Sequence, residues 1–131
     1  MGTIRIAHIA DVHFRGGIQR HAEYKQTFEA FFESCVKNQV THIFVAGDLF
    51  HTKTQGISPE VIDLLSWWFT EMAKVAEVHV MLGNHDANLS NLSRQDAISP
   101  IVKALNNPRV FLYKESGVYP FALGHNFCVF S

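Results

Sequence analysis

Apolar and polar residues follow two different periods along the chain, and the changes of period mark the predicted elements. Residues 3–10 (TIRIAHIA) and 41–46 (THIFVA) read as strands, and the second is nearly all apolar, as expected for a parallel strand covered on both faces. Residues 78–82 predict a third strand. Two helical stretches lie between them, 21–38 with one apolar face and 59–77 with a broader one. This alternation predicts an α/β fold with a mainly parallel sheet flanked by helices and right-handed crossovers.

The rest of the chain predicts a short third helix and more strands. Ser99-Pro100 is a helix-start signal, and 106–108 (NNP) ends that helix. Strands are predicted over 110–113, 118–123 and 127–130, and the last two form a hairpin through Gly124. Because the chain stops within an apolar run, we expect residues 1–131 to be a C-terminally truncated part of one domain.

Composition narrows the classes of function. The chain has 131 residues, 47% of them hydrophobic, and a net charge of -1, which suits one globular domain and excludes a strongly basic nucleic-acid coat. Any nucleic acid must therefore be bound through a local site. With no leader and no run long enough to span a bilayer, we expect a cytoplasmic protein without membrane contact. Cys35 and Cys128 have apolar neighbours, so we expect buried free thiols and a reducing compartment.

Polar clusters follow three of the predicted strands at the point where each strand ends. They are Asp11-Val12-His13, Gly47-Asp48 and Gly83-Asn84-His85-Asp86. In parallel α/β sheets, ligands gather at the carboxyl ends of the strands. Folding is therefore expected to bring the three clusters together, although they are far apart in sequence.

The residue types in these clusters suit a centre of two divalent metal ions. Asp11 and His13 lie two residues apart in an extended turn, so both can face one ion. Asp48 has two carboxylate oxygens and can bridge two ions, and Asn84 adds a neutral oxygen ligand. Mixed carboxylate, imidazole and amide ligands suit Mn²⁺, Fe²⁺ or Zn²⁺ better than Ca²⁺ or Mg²⁺. Two such ions, about 3.5–4 Å apart, can activate water and hold the oxygens of a phosphoryl displacement.

His85 and Asp86 are the predicted catalytic pair. A histidine beside two dications can protonate the leaving oxygen or stabilise charge on the phosphoryl group. Asp86 can fix its tautomer and support its protonated form. A single tight turn after the third strand would thus supply a ligand, an acid and a group that orients the acid.

The ordered set D-x-H, G-D and G-N-H-D resembles the signature of the calcineurin-like metallophosphoesterases, over roughly the first ninety residues. The resemblance implies the N-terminal half of an αββα sandwich. Residues 11–14 (DVHF) and 46–51 (AGDLFH), with the long first helix and the segment from Ser58-Pro59 to the third cluster, resemble the SbcD-type DNA repair exonucleases and their phage recombination counterparts. That resemblance implies Mn²⁺-dependent cleavage of DNA phosphodiesters and an ATPase partner of the SbcC type with a long coiled coil.

The family pattern continues with another histidine and then G-H-x-H, and here the chain departs from it. Gly124-His125-Asn126-Phe127 is the nearest candidate and lacks the second histidine. We interpret His125 as a hairpin-turn residue. The remaining ligands are expected beyond Ser131, so the chain alone is expected to bind metal weakly and to catalyse poorly.

Other residues carry weaker signals. His51, Arg15 and Arg20 are candidate substrate contacts, although solvated loop and helix-start positions explain them equally well. Histidines in or beside strands are interpreted as packing or surface residues: His8, His42 and His79. Trp68 and Phe69 are expected in the core, whereas Trp67 is a candidate partner or homodimer surface. Two rival functions stay open, namely a phosphatase or small-phosphodiester hydrolase of the same superfamily, and a non-catalytic interaction module.

Overall fold

A computed structural model describes residues 3–10, 21–46, 59–81, 98–113, 117–122 and 124–129. Within these residues the chain forms six strands and three helices, which follow the predicted order. The strands are β1 (Ile6–Ala10), β2 (His42–Ala46), β3 (Glu77–Met81), β4 (Val110–Tyr113), β5 (Gly117–Ala122) and β6 (His125–Val129). The helices are α1 (His21–Lys37), α2 (Pro59–Val75) and α3 (Ile98–Leu105). Predicted and observed ends differ by at most three residues, and β4 has the predicted bounds.

The first four strands form a parallel sheet in the order β1-β2-β3-β4. The predicted parallel sheet is therefore confirmed. α1 connects β1 to β2, and α2 connects β2 to β3, so strands that are consecutive in sequence are also neighbours in space. The end of α1 is fixed by Gln39, whose positive φ of 56° lets the Val40 amide donate to the Cys35 carbonyl at 3.0 Å. The chain then turns directly into β2.

One face of the sheet packs against the helices and forms the hydrophobic core. Alternate residues of the strands point to this face, and α2 lies over them with its broad apolar surface. The core includes Ile43, Val45, Val78, Val80, Val61, Leu64, Leu65, Trp68, Phe69, Met72 and Ile98. α1 adds half-buried aromatic side chains at the predicted spacing: Tyr24, Phe28, Phe31 and Phe32. The periodicity of α1 and α2 thus predicted the correct faces.

The β5–β6 hairpin packs on the opposite face of the sheet. Its turn is at Gly124, whose φ of 79° suits glycine, and its strands are antiparallel, as predicted. Phe127 on β6 contacts Phe44, His79 and Tyr113, with ring centroids 4.9–5.6 Å apart. Helices, sheet and hairpin therefore form three successive layers, consistent with the α/β fold of a metallophosphoesterase.

One prediction from the sequence needs correction, and the structure adds detail to another. Cys35 is buried, but Cys128 is exposed, because side chains alternate along β6 and Phe127 is the neighbour that faces the sheet. Trp67 is half-buried: its ring lies 5.7 Å from that of Phe32, and Lys25 Nζ lies 5.5 Å from its centroid. α1 therefore covers part of the Trp67 side chain, and the role of Trp67 as a partner or homodimer surface stays a prediction. In the part of the chain that the structure describes, no helix has the length and apolarity needed to cross a membrane.

The adjacent tryptophans of α2 provide a matched test of this core. Trp68 is 0% exposed and packs against Phe28 and Phe69, whereas Trp67 is half-buried at the α1 surface. Trp68→Ala is expected to lower the free energy of unfolding by about 3–5 kcal/mol. Trp67→Ala should lower it by about 1 kcal/mol. Urea unfolding of both variants measures the difference, and equal losses would contradict this assignment of the core.

Candidate metal centre

The predicted metal ligands and catalytic residues lie outside the described residues. This holds for Asp11, His13, Asp48, Asn84, His85 and Asp86, and for the candidate substrate contacts Arg15, Arg20 and His51. Their roles therefore stay predictions. The structure does describe the three strands that precede the clusters, and it describes His125.

The three strands before the clusters end side by side. β1, β2 and β3 are neighbours, and their last residues Ala10, Ala46 and Met81 are paired in register. The next residues along the chain are Asp11, Gly47-Asp48 and, after Leu82, the Gly83-Asn84-His85-Asp86 cluster. Neighbouring strands are roughly 4.8 Å apart, so the three strand ends span about 10 Å. That width suits a centre of two metal ions and its ligands.

His125 occupies the position expected of a hairpin residue. It follows Gly124 directly, starts β6 and pairs with Ala122 across the hairpin. Its side chain is exposed. The structure therefore agrees with the turn interpretation of the Gly124-His125-Asn126-Phe127 fragment.

A second group of metal-binding side chains lies at the other edge of the sheet, where the strands begin. One ring nitrogen each of His42 and His79 and a carboxylate oxygen of Glu77 lie within 4.8 Å of one another. His42 and Glu77 start β2 and β3 and are paired in register, while His79 is two residues further on β3. All three side chains point to the face that bears the hairpin. We call His42, Glu77 and His79 the strand-start cluster.

The strand-start cluster was not predicted from the sequence, in which His42 and His79 were interpreted as packing or surface residues. The two histidines are buried, with exposed fractions of 6% and 3%, so the packing interpretation is correct as far as it goes. The sequence pattern that marks the cluster is E-x-H at the start of β3, formed by Glu77 and His79, opposite His42 at the start of β2. It could be read only with the register of the parallel pair, which places His42 beside Glu77.

Hydrogen bonds hold both histidines of the strand-start cluster. His42 Nε2 lies 2.9 Å from Glu77 Oε2, and its Nδ1 lies 2.8 Å from the Thr41 hydroxyl. His79 Nδ1 lies 2.8 Å from the Tyr113 hydroxyl on β4. Each imidazole is thus oriented by a hydroxyl group at Nδ1.

Aromatic rings surround His79 and change its electrostatics. Phe44, Phe111 and Phe127 lie with ring centroids 5.0–5.6 Å from the imidazole. The pKa of His79 is lowered to about 4, mainly by burial; Glu77 opposes this shift, and nearby His42 adds to it. His79 is therefore neutral at pH 7. Burial likewise raises the pKa of its partner Tyr113.

This lowered pKa predicts that the metal-free protein loses stability in acid. Below about pH 6.5 the unfolded chain protonates at position 79, whereas the folded chain does not until about pH 4. The contribution is complete above the unfolded pKa and is lost as the pH falls through this window, by at most about 3 kcal/mol. Urea unfolding with a chelator present should show a smaller acid loss in His79→Gln than in the parent. The exposed-site control His8→Gln should match the parent, and an unchanged acid loss in His79→Gln would contradict the prediction.

Comparisons with known proteins agree with this architecture. The sequence model of the calcineurin-like phosphoesterase family matches residues 4–129. The chain is also 41% identical over 121 residues to an uncharacterized protein of Acanthamoeba polyphaga mimivirus; the match covers 88% of the chain and 9% of that relative. The chain therefore spans about a tenth of this relative's length. Because the family model matches nearly all of its residues and its sheet is parallel with flanking helices, the chain belongs to the calcineurin-like phosphoesterase family.

Proposed function

We propose that the chain forms part of a metal-dependent phosphodiesterase that cleaves DNA. The observation that carries this proposal is the alignment of the ends of β1, β2 and β3, each followed within three residues by a predicted ligand. Because three residues span at most roughly 11 Å, chain connectivity keeps these clusters near one edge of the sheet. Family membership supports phosphoester hydrolysis by metal ions as the general chemistry.

The metal ligands in this proposal are Asp11, His13, Asp48 and Asn84. Three anionic or imidazole donors and one amide suit two divalent ions, with Mn²⁺ the leading candidate and Fe²⁺ or Zn²⁺ as alternatives. When bound, the ions supply positive charge to the phosphoryl group and lower the pKa of water. Asp48 would offer one carboxylate to both ions, and Asn84 would add an oxygen ligand without adding negative charge.

In this proposal, His85 and Asp86 assist departure of the leaving group. His85 donates a proton to the departing oxygen of the phosphodiester or stabilises charge on the phosphoryl group. Asp86 holds the imidazole of His85 in one tautomer and favours its protonated form. Both residues follow Asn84 in sequence, so one short segment would supply a metal ligand and the acid.

Substrate binding relies on local charge. The net charge of -1 gives the chain little general attraction for DNA, so phosphate affinity comes from the metal ions and from Arg15, Arg20 and His51 near the clusters. Affinity should fall as salt rises. An SbcC-type coiled-coil ATPase is the proposed partner, which would supply further contacts with DNA, and a homodimer is the proposed assembly. The ATPase partner rests on the resemblance of residues 11–14 and 46–51 to SbcD-type nucleases, and the homodimer rests on Trp67 as a candidate contact surface.

The experiment that tests this function compares two substrates. End-labelled linear duplex DNA and a small aryl phosphate are incubated with Mn²⁺, with Mn²⁺ plus a chelator, and with Mg²⁺. We expect chelator-sensitive shortening of the duplex. Hydrolysis of the aryl phosphate alone would replace the DNA proposal with a phosphatase or small-phosphodiester hydrolase. Neither reaction, in the chain or in a longer natural form, would favour a non-catalytic module.

A further inference from the structure

We propose that the strand-start cluster of His42, Glu77 and His79 is a second divalent-metal site, suited to Zn²⁺ and separate from the predicted centre at the strand ends. The proposal does not depend on the proposed function. The cluster lies where β2 and β3 begin, whereas the predicted centre follows their last residues. Four residue steps of a parallel strand separate the two edges by roughly 13 Å. No side chain of the cluster belongs to the predicted ligand set.

The donor set and its spacing fit zinc. Two imidazoles and one carboxylate are a ligand set that binds Zn²⁺ with water in the fourth position. Zn–N and Zn–O bonds of about 2.0–2.2 Å place tetrahedral donors roughly 3.3–3.6 Å apart. The three donor atoms lie within 4.8 Å of one another, and His42 Nε2 and Glu77 Oε2 are 2.9 Å apart. Side-chain shifts of about 1 Å or less would therefore complete the coordination.

In His42 and His79, the ring nitrogen that would not bind the metal is Nδ1. Each Nδ1 is held by a hydrogen bond, as is usual in metal-binding histidines. The Thr41 hydroxyl accepts the Arg5 amide proton at 2.9 Å and donates to the Arg5 carbonyl at 3.1 Å. Because the only proton of the Thr41 hydroxyl goes to the Arg5 carbonyl, His42 Nδ1 must donate to Thr41. His42 Nε2 then faces Glu77. The Tyr113 hydroxyl at Nδ1 of His79 makes Nε2 the nitrogen that a metal would take. Such outer partners fix ring orientation and raise metal affinity.

The residues around the strand-start cluster exclude water on one side and leave it accessible to solvent at the sheet edge. Phe44, Phe111 and Phe127 pack around His79, which limits water on that side of the cluster. The side chain of Glu77 is 38% exposed, so an ion can enter from solvent at the edge of the sheet. A bound ion would take the place of the proton between His42 Nε2 and Glu77, which would leave to solvent, and would bond to both groups.

Zinc titration against a chromogenic chelator tests the site with a matched pair of variants. Glu77→Gln removes a carboxylate of the cluster. Glu71→Gln makes the same change at a half-buried glutamate that pairs with Lys74 at 3.2 Å on α2. We expect Glu77→Gln to weaken one Zn²⁺ equivalent by at least about 10–100-fold and to lose its Zn²⁺-dependent rise in Tm. Glu71→Gln should bind like the parent, and Asp48→Asn should keep this equivalent.

A second variant makes a smaller change, so that weaker Zn²⁺ binding can be separated from a loss of folding. Tyr113→Phe removes only the hydroxyl at His79 Nδ1 and should weaken the same equivalent by about 10–100-fold. Co²⁺ should give the intense visible bands of four-coordinate geometry in the parent and in Glu71→Gln, but not in Glu77→Gln. Equal Zn²⁺ affinity of the parent, Glu77→Gln and Tyr113→Phe would overturn the proposal and leave an ion pair and a hydrogen bond as the whole role of the cluster.

Discussion

Asp48→Asn is expected to lower the kcat/KM of the metal-dependent reaction by at least about 10³-fold. Metal ions contribute several kcal/mol of transition-state stabilisation, and each 1.4 kcal/mol changes a rate about tenfold. Asparagine keeps the size of the side chain but removes the negative charge and one anionic oxygen, so it cannot hold two ions as a carboxylate does. Asp48 follows β2 in sequence, and β2 is the central of the three strands that end in register, so the proposed centre would have ligands from the segments after β1 and β3 on either side of this residue.

A matched control for this substitution is Asp63→Asn on the exposed surface of α2. It makes the same chemical change away from the strand ends and should leave kcat/KM unaltered. Mn²⁺ binding, followed by electron paramagnetic resonance, should weaken in Asp48→Asn and not in Asp63→Asn. Full activity and unchanged Mn²⁺ binding in Asp48→Asn would remove this residue from the metal centre, whatever the substrate of the enzyme.

The elements of the fold were predictable because their signals are local. The apolar spacing in α1 and the continuous apolar run in β2 require no knowledge of distant residues. The boundary between α2 and β3 was less clear, because the run from Val75 to Met81 is apolar except for Glu77 and His79. Pairing with His42 places Glu77 in the strand, and this pairing joins residues 35 positions apart.

The two candidate sites differ in how far sequence could predict them. The predicted centre at the strand ends consists of short motifs that each follow a strand closely, so its members could be proposed from the order of residues along the chain alone. The strand-start cluster depends on register, because a shift of one residue would turn His42 or Glu77 to the other face of the sheet. The same reasoning explains Cys128, whose exposure follows from the orientation of its neighbour Phe127.

His85→Gln is expected to lower kcat by about 10²–10⁴-fold while leaving metal binding intact. This is the usual contribution of a positioned general acid, and glutamine cannot supply a proton in its place. His8→Gln on β1, an exposed histidine outside the clusters, is the matched control and should retain full activity. Mn²⁺ affinity should be the same in both variants, which separates the role of His85 from that of a ligand such as Asp48.

A comparison of substrates with different leaving groups distinguishes the two proposed roles of His85. If His85 protonates the departing oxygen, the loss should be large for a phosphodiester with an alkyl leaving group, such as DNA, and small for a nitrophenyl ester. A nitrophenolate leaves without help, because its conjugate acid is much stronger than an alcohol. If His85 instead stabilises charge on the phosphoryl group, both substrates should lose activity to a similar extent. Full activity of His85→Gln on both substrates would exclude either role and leave catalysis to the metal ions alone.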